Sequence, residues 1–213
     1  MKRILVLIGP QGAGNHLWSK VFSLHPDVYG WKSLIENYWE AHRFAEPFCK
    51  HWKDHSLLKS FDWDQSDYYF TSISCPLGIK DFEPNPTWNP DVRGFADALE
   101  DCGLEVQIVA IGRDQNILYH QQKRLRGEST IDYLFNQYDR LLPKYSPIFL
   151  SYELLHLYTS EYLRSLENQI NIPIAWYDER LGELLKTDTN EKYIHYVEDN
   201  DLDNCNRTGK YVK

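Results

Sequence analysis

The chain has 213 residues, of which 42% are hydrophobic and 25% are charged, and this length and composition predict one globular domain over residues 1–213. Its formal net charge of −8 argues against a nucleic-acid partner, because phosphate backbones are bound by basic protein faces. The four cysteines lack metal-ligand spacing, and no segment reaches the length of a membrane span. We therefore expect a cytoplasmic protein with neither a metal site nor a membrane partner.

Apolar runs and helical periodicity alternate along the chain. Strands are predicted, in chain order, at residues 4–8, 68–74, 106–111 and 148–151. Helices are predicted at residues 15–24, 33–44, 51–58, 91–102, 117–126, 131–142 and 154–170, with a loop at 83–90 and a polar tail from about residue 188. This alternation predicts a three-layer α/β fold, an open parallel sheet with helices on both faces, of the P-loop NTPase type.

The first predicted strand runs into a glycine-rich turn with the sequence G-P-Q-G-A-G-N-H at residues 9–16. A strand, a glycine turn and a helix together present backbone N–H groups and a helix N-terminus to a phosphate. Asn15 and His16 stand where a Walker A loop has its lysine and its serine or threonine, which argues against a metal-dependent NTPase and for a different phosphate ester. A plain glycine turn is the alternative. The expected ligand-binding residues are Gly9, Pro10, Gln11, Gly12, Ala13, Gly14, Asn15, His16 and Leu17.

A second predicted strand end carries an arginine. The strand at residues 106–111 is followed by Gly112, Arg113 and Asp114. Because ligands of open parallel sheets bind outside the carboxyl ends of the strands, Arg113 is placed to bind a phosphate with two parallel N–H groups. An ion pair between Arg113 and its neighbour Asp114 is the alternative.

Three motifs in this order resemble those of the sulfotransferase superfamily. The segment from the glycine loop to H-P-D-V at residues 25–28 resembles the family's opening, and the strand that ends at Arg113 resembles its second signature. The sequence F-L-S-Y-E-L-L at residues 149–155 is similar to the family's strand that runs into "YEDL". The resemblance covers most of residues 3–175 and is nearest to the small bacterial, phage and carbohydrate-type members.

The resemblance implies an enzyme that moves a sulfuryl group from 3′-phosphoadenosine 5′-phosphosulfate to a hydroxyl or amine acceptor, with a carbohydrate as one candidate and without a metal. It implies that the loop holds the 5′-phosphosulfate, while Arg113 and Gln121, in place of the family's serine, bind the 3′-phosphate. Gly12 replaces the family's lysine, so the leaving phosphate needs another partner. His16, in the first helical turn, is the expected donor, and Lys20 lies one turn further on.

In carbohydrate-type members a glutamate shortly after H-P-D-V takes the acceptor's proton. Glu36 stands at about that place and is the expected catalytic base. A capping box with Ser33 explains Glu36 equally well. Trp31, Tyr38 and His42 are the expected acceptor-binding residues, with core packing and structural histidines as the alternatives.

Two other functions stay open at this point. One is a small P-loop nucleotide kinase, against which the missing lysine and hydroxyl argue. The other is a non-catalytic nucleotide-binding protein on a sulfotransferase scaffold, which Gly12 in the lysine position suggests. The basic stretch at residues 207–210 faintly resembles a family loop that closes on the donor.

Overall fold

The computed structural model describes residues 1–78 and 87–186. The strands are β1 (Arg3–Gly9), β2 (Val28–Tyr29), β3 (Tyr68–Ser74), β4 (Leu77–Gly78), β5 (Thr87–Trp88), β6 (Glu105–Gly112) and β7 (Ile148–Ser151). The helices are α1 (Asn15–Ser23), α2 (Lys32–Glu36), α3 (His42–Ala45), α4 (Val92–Asp101), α5 (Gln115–Arg126), α6 (Ile131–Leu141), α7 (Tyr152–Ile170) and α8 (Arg180–Lys186), with 3₁₀ turns at His55–Ser60 and Trp63–Gln65.

Five strands form one parallel sheet in the order β2-β3-β1-β6-β7. The central strand β1 is buried on both faces, since Leu5 and Leu7 pack with helices α1 and α7 while Ile4 and Val6 pack with α4 and α6. This alternation is the period-two pattern of a strand between two helical layers. The predicted three-layer α/β fold of P-loop type is confirmed.

The sheet places the chemically distinctive strand ends at one edge. Gly9, the last residue of β1, pairs with Ser74 at the end of β3, and Gly112 at the end of β6 pairs with Ser151. The chain leaves β1 towards β3 and later returns to its other side at β6. A reversal of this kind opens a crevice at the carboxyl ends of the strands, so it is the expected place for a ligand.

One predicted helix is wrong in the structure. The chain at residues 33–44 forms two short helices, α2 and α3, and Asn37 between them is extended. The cause is Glu40, whose carboxylate accepts hydrogen bonds from Ser33 Oγ (2.6 Å) and Asn37 Nδ2 (2.8 Å) and draws the chain into a turn. Trp31 is the N-cap of α2, so the predicted capping box of Ser33 with Glu36 is wrong as well.

The remaining elements follow the prediction with a few differences. Strands β3 and β7 have the predicted bounds. Residues 55–60 form a 3₁₀ helix instead of the predicted α-helix over 51–58, and Asp54 is its N-cap, accepting from Ser56 N. The two-residue strand β2 and helix α8 were not predicted. Of the predicted loop at 83–90, residues 83–86 lie outside the described residues and Thr87–Trp88 pairs with Leu77–Gly78. The polar tail and residues 207–210 also lie outside them.

Candidate functional site

The glycine loop joins β1 to α1 and has two residues in the left-handed region of the backbone map. Gly12 has φ +85° and Gly14, the N-cap of α1, has φ +100°. Ala13 N donates to Pro10 O (3.2 Å), which closes a tight turn between them. A Cβ atom on Gly14 would lie 2.7 Å from Tyr152 Cδ2, so this position admits no side chain. The loop therefore brings the N-terminus of α1 to the crevice, where N–H groups bind anions.

Arg113 reaches this loop from the neighbouring strand end. Its Nη1 donates to Gly12 O (2.5 Å) and to Gln121 Oε1 (3.1 Å), and its Cζ lies 4.8 Å from the centroid of the Tyr152 ring. Asp114 caps α5 instead, through Ile117 N (2.9 Å), and within residues 1–78 and 87–186 the hydrogen-bond partners of Arg113 are a carbonyl and an amide oxygen and no carboxylate. The structure thus brings together the loop, Arg113 and Gln121.

Two amide side chains, those of Gln122 and Asn15, donate hydrogen bonds to backbone oxygens of the loop. Gln122 is fully buried, and its Nε2 donates to Gln11 O (2.6 Å) while its Oε1 accepts from Thr130 N (2.7 Å). Asn15 Nδ2 donates to Pro10 O (3.1 Å) and to Ser74 Oγ (3.0 Å), so this side chain points back towards the sheet. Both side chains therefore support the loop. Gln122 was not a candidate in the sequence, because Gln121 and not Gln122 stands at the position of the family's serine.

His16 and the predicted acceptor residues Trp31 and His42 lie together beside the first turns of α1. His16 Nε2 lies 2.9 Å from Glu40 O, and its ring centroid is 5.3 Å from that of Trp31. The Trp31 indole donates to Glu40 Oε2 (2.7 Å) and meets the His42 ring edge-on at 5.6 Å. His42 Nε2 donates to Ser72 O, and burial lowers the pKa of His42 to about 4. Glu40 thus contacts both His16 and Trp31. It was not among the residues predicted from the sequence.

The structure does not bring Glu36 to the loop. Glu36 ends α2 and is exposed, and with Leu24, Pro26 and Arg180 it lines a cavity of about 680 Å³. Leu24 and Pro26 follow the C-terminal end of α1, whereas the loop precedes its N-terminus, so the two sites are one helix length apart. The predicted acceptor residue Tyr38 is exposed, two residues beyond Glu36.

Comparison with protein-family models and with curated proteins finds no match. Among solved structures, the chain is similar to the crystal structure of mouse sulfotransferase SULT7A1 complexed with PAP, with a TM-score of 0.45 and 10% sequence identity. The alignment covers 87% of this chain and 63% of the mouse chain, so this chain spans less than two thirds of the length of the mouse protein.

No group of three or more His, Cys, Asp or Glu side chains in residues 1–78 and 87–186 is arranged to hold a metal ion. In the same residues, no helix is long and apolar enough to cross a bilayer.

A buried carboxyl group lies beside this site, between α3 and β3. Glu46 is 2% exposed, and its carboxylate accepts from Thr71 Oγ1 (2.7 Å), Ser72 N (3.3 Å) and Phe48 N (2.8 Å). Burial raises the pKa of Glu46 to about 8 although these hydrogen bonds oppose the shift. Ser72 thus contacts two groups whose pKa values burial moves in opposite directions, Glu46 and His42.

These two groups predict how stability depends on pH. The contribution of Glu46 to the free energy of unfolding is complete below its ordinary pKa of 4.5 and is lost as the pH rises towards about 8. The stability from His42 is complete above its ordinary pKa of 6.5 and is lost as the pH falls towards about 4. The thermal midpoint is therefore expected to be nearly level from pH 4.5 to 6.5 and to fall from 6.5 to about 8.

The Glu46→Gln variant tests this expectation by thermal denaturation across the same pH range. It is expected to lose the fall above pH 6.5, because the amide does not ionise. Exposed Glu36→Gln is the matched control and is expected to keep the fall. An undiminished fall in Glu46→Gln would assign the pH dependence to other groups.

Proposed function

We propose that this protein, folded as one domain, binds 3′-phosphoadenosine 5′-phosphosulfate and transfers its sulfuryl group to a hydroxyl or amine acceptor. The observation that carries the proposal is the contact of Arg113 with Gly12 O across two neighbouring strand ends. The crevice offers two anchors for anions, the N–H groups at the start of α1 and the Arg113 guanidinium. A nucleotide with phosphates on both the 5′ and the 3′ positions of its ribose fits two such anchors.

The chemistry needs two further contributions from the chain. As the sulfuryl group moves in line from the 5′-phosphate to the acceptor, negative charge grows on the phosphate that leaves. The loop N–H groups and the dipole of α1 stabilise that charge without rearranging. A base must also accept the acceptor's proton as the new S–O or S–N bond forms.

His16 is a better candidate for the base than Glu36. Because His16 Nε2 faces a carbonyl oxygen, the hydrogen of the neutral ring is on Nε2, and Nδ1 is the nitrogen that accepts a proton. On this proposal His16 acts as the base, whereas its role as a donor to the leaving phosphate stays a prediction from the sequence. Glu36 lies at the other end of α1, so its assignment as the base stays a prediction from the sequence alone.

A thermal-shift titration tests the proposal. A ligand that binds only the folded state raises the thermal midpoint by mass action. We expect a saturable rise with 3′,5′-adenosine bisphosphate in the presence of EDTA and a smaller one with ATP and Mg²⁺. A larger rise with ATP and Mg²⁺ would support the nucleotide-kinase alternative and contradict the proposal.

The second candidate is a protein that binds the same nucleotide without transferring the sulfuryl group. Gly12 favours it, because the loop itself contributes no cation to the leaving phosphate. The two functions differ in turnover of ³⁵S-labelled donor with a panel of hydroxyl and amine acceptors. Labelled product supports the transferase, whereas saturable binding with no product on any acceptor supports the binding protein.

A further inference from the structure

One edge of the parallel sheet lacks the usual protection against pairing with another chain. The sheet ends at β2 on one side and at β7 on the other, and among the described residues β7 pairs with β6 alone. Proteins protect edge strands by shortness, charge or proline, because unpaired backbone groups attract a further strand. Strand β2 has only two residues, whereas β7 has four, I-F-L-S, with neither a charge nor a proline. A further strand is therefore expected at the free edge of β7.

Exposed apolar side chains flank this edge on the side of the sheet that α6 covers. Phe149 of β7 is 51% exposed, and its ring centroid lies 4.9 Å from that of Tyr138 on α6. Phe135, Tyr138 and Leu142 are spaced by three and four residues, so they share one face of the helix. Phe135 and Leu142 are exposed as well. We call these four side chains the α6 stripe.

A second apolar stripe lies on α7, which covers the opposite side of the sheet. The ring of Tyr152 packs against the Arg113 guanidinium, so this flank of α7 faces the centre of the sheet, while Leu155 is buried beneath the helix. Leu154 and Tyr158 are exposed and lie roughly 160° and 120° around the helix from Tyr152. These two side chains, the α7 stripe, therefore face outwards past the free edge of β7.

A second copy of the chain matches this surface in both layers. Two β7 strands pair antiparallel when a twofold axis runs normal to the sheet through their shared edge. Such an axis keeps each face of the sheet on its own side, so α6 meets α6, α7 meets α7, and each stripe meets its own copy. An extended peptide would pair with β7 but would leave both stripes exposed to water.

The exposed apolar area also agrees with a homodimer. The α6 stripe and the α7 stripe together expose roughly 500 Å², given the size of large apolar side chains. An interface of standard size buries about 800 Å² per partner, and about 65% of a homodimer interface is apolar, which is also about 500 Å².

We propose that the chain forms a twofold homodimer through the free edge of β7. The two five-stranded sheets join into one continuous sheet, and the α6 and α7 stripes of each copy pack against the same stripes of its partner. The dimer makes no use of the nucleotide, so it goes beyond the proposed function and its test is independent of that function.

Sedimentation equilibrium of the full chain, without nucleotide, tests the dimer. Wild type is expected to be dimeric at micromolar concentrations. Phe149→Asp and Tyr158→Lys are each expected to raise the dissociation constant about 100-fold, because each variant places one unpaired charge from each copy in an apolar interface. Tyr177→Lys is the matched control, since Tyr177 is an equally exposed tyrosine beside the cavity that Glu36 lines, and this variant is expected to stay dimeric.

The fold of each variant is checked by circular dichroism. Because Tyr158 is exposed, loss of the dimer in Tyr158→Lys with an unchanged spectrum supports the proposal even if Phe149→Asp does not fold. A monomeric wild type overturns it, and slow hydrogen exchange at residues 148–151 of that monomer would mean that another part of the same chain covers the edge. A dimer that persists in both folded variants also overturns it, because the copies then meet at another surface.

Discussion

Replacement of Arg113 by alanine is expected to weaken the binding of 3′,5′-adenosine bisphosphate roughly 100-fold, which corresponds to a charge-assisted, two-point contact with a phosphate. The guanidinium group is already positioned by Gly12 O, Gln121 Oε1 and the face of the Tyr152 ring. Little side-chain entropy is therefore lost when the ligand arrives. Calorimetric titration of the purified variant measures the change.

Two further variants separate charge from geometry. Arg113→Lys keeps the charge but loses the planar pair of N–H groups, so we expect an intermediate affinity. Arg164→Ala is the matched control, because Arg164 lies over Trp176 on another part of the surface and is expected to leave the affinity unchanged. Since Arg113 is assigned to the 3′-phosphate, Arg113→Ala is expected to change the affinity for 5′-AMP little. Wild-type affinity for the bisphosphate in Arg113→Ala would contradict this site.

Replacement of Gly14 by alanine is expected to lower the free energy of unfolding by about 2–4 kcal/mol and to abolish nucleotide binding. Two causes add together at this position. The residue has φ +100°, which side chains rarely adopt, and the new Cβ atom would lie 2.7 Å from the ring of Tyr152. To relieve the backbone strain or the close contact with Tyr152, the N-terminus of α1 or the start of α7 must move. Chemical denaturation measures the stability, and the thermal-shift titration measures the binding.

Gly103 provides the matched control for this substitution. It has φ +84°, and nothing lies within 4 Å of a Cβ atom built on it, so Gly103→Ala introduces the backbone strain alone. We expect it to cost about 1 kcal/mol and to leave nucleotide binding intact. Equal losses of stability in the two variants would mean that the contact of the new Cβ atom at position 14 with Tyr152 does not contribute to the loss.

The sequence predicts the sheet well because its signal is local and strong. Continuous apolar runs of the kind at Ile4–Ile8 are buried on both faces of a parallel sheet, and β3 and β7 have the predicted bounds. The meeting of the loop with Arg113 also follows from the sequence, since parallel strands end at the same edge. A two-residue strand such as β2 has no periodicity to detect.

The surroundings of the loop depend on contacts that no spacing reveals. The periodicity of residues 33–44 predicts one continuous helix. The structure differs because the carboxylate of Glu40 accepts hydrogen bonds from Trp31, Ser33 and Asn37, which stabilise a turn instead. That break leaves Glu36 near the C-terminal end of α1 and places Glu40 beside His16. Gln122 escapes detection for the same reason, because its role is set by the distant Thr130 N and Gln11 O.

The most direct test of the central claim is a map of nucleotide contacts on the ¹⁵N-labelled protein by NMR titration. With 3′,5′-adenosine bisphosphate and no metal, the largest shifts are predicted at the backbone amides of residues 12–16 and at the side chain of Arg113. Shifts confined to the cavity beside Glu36 and Arg180, or shifts at the loop only with ATP and Mg²⁺, would contradict the claim.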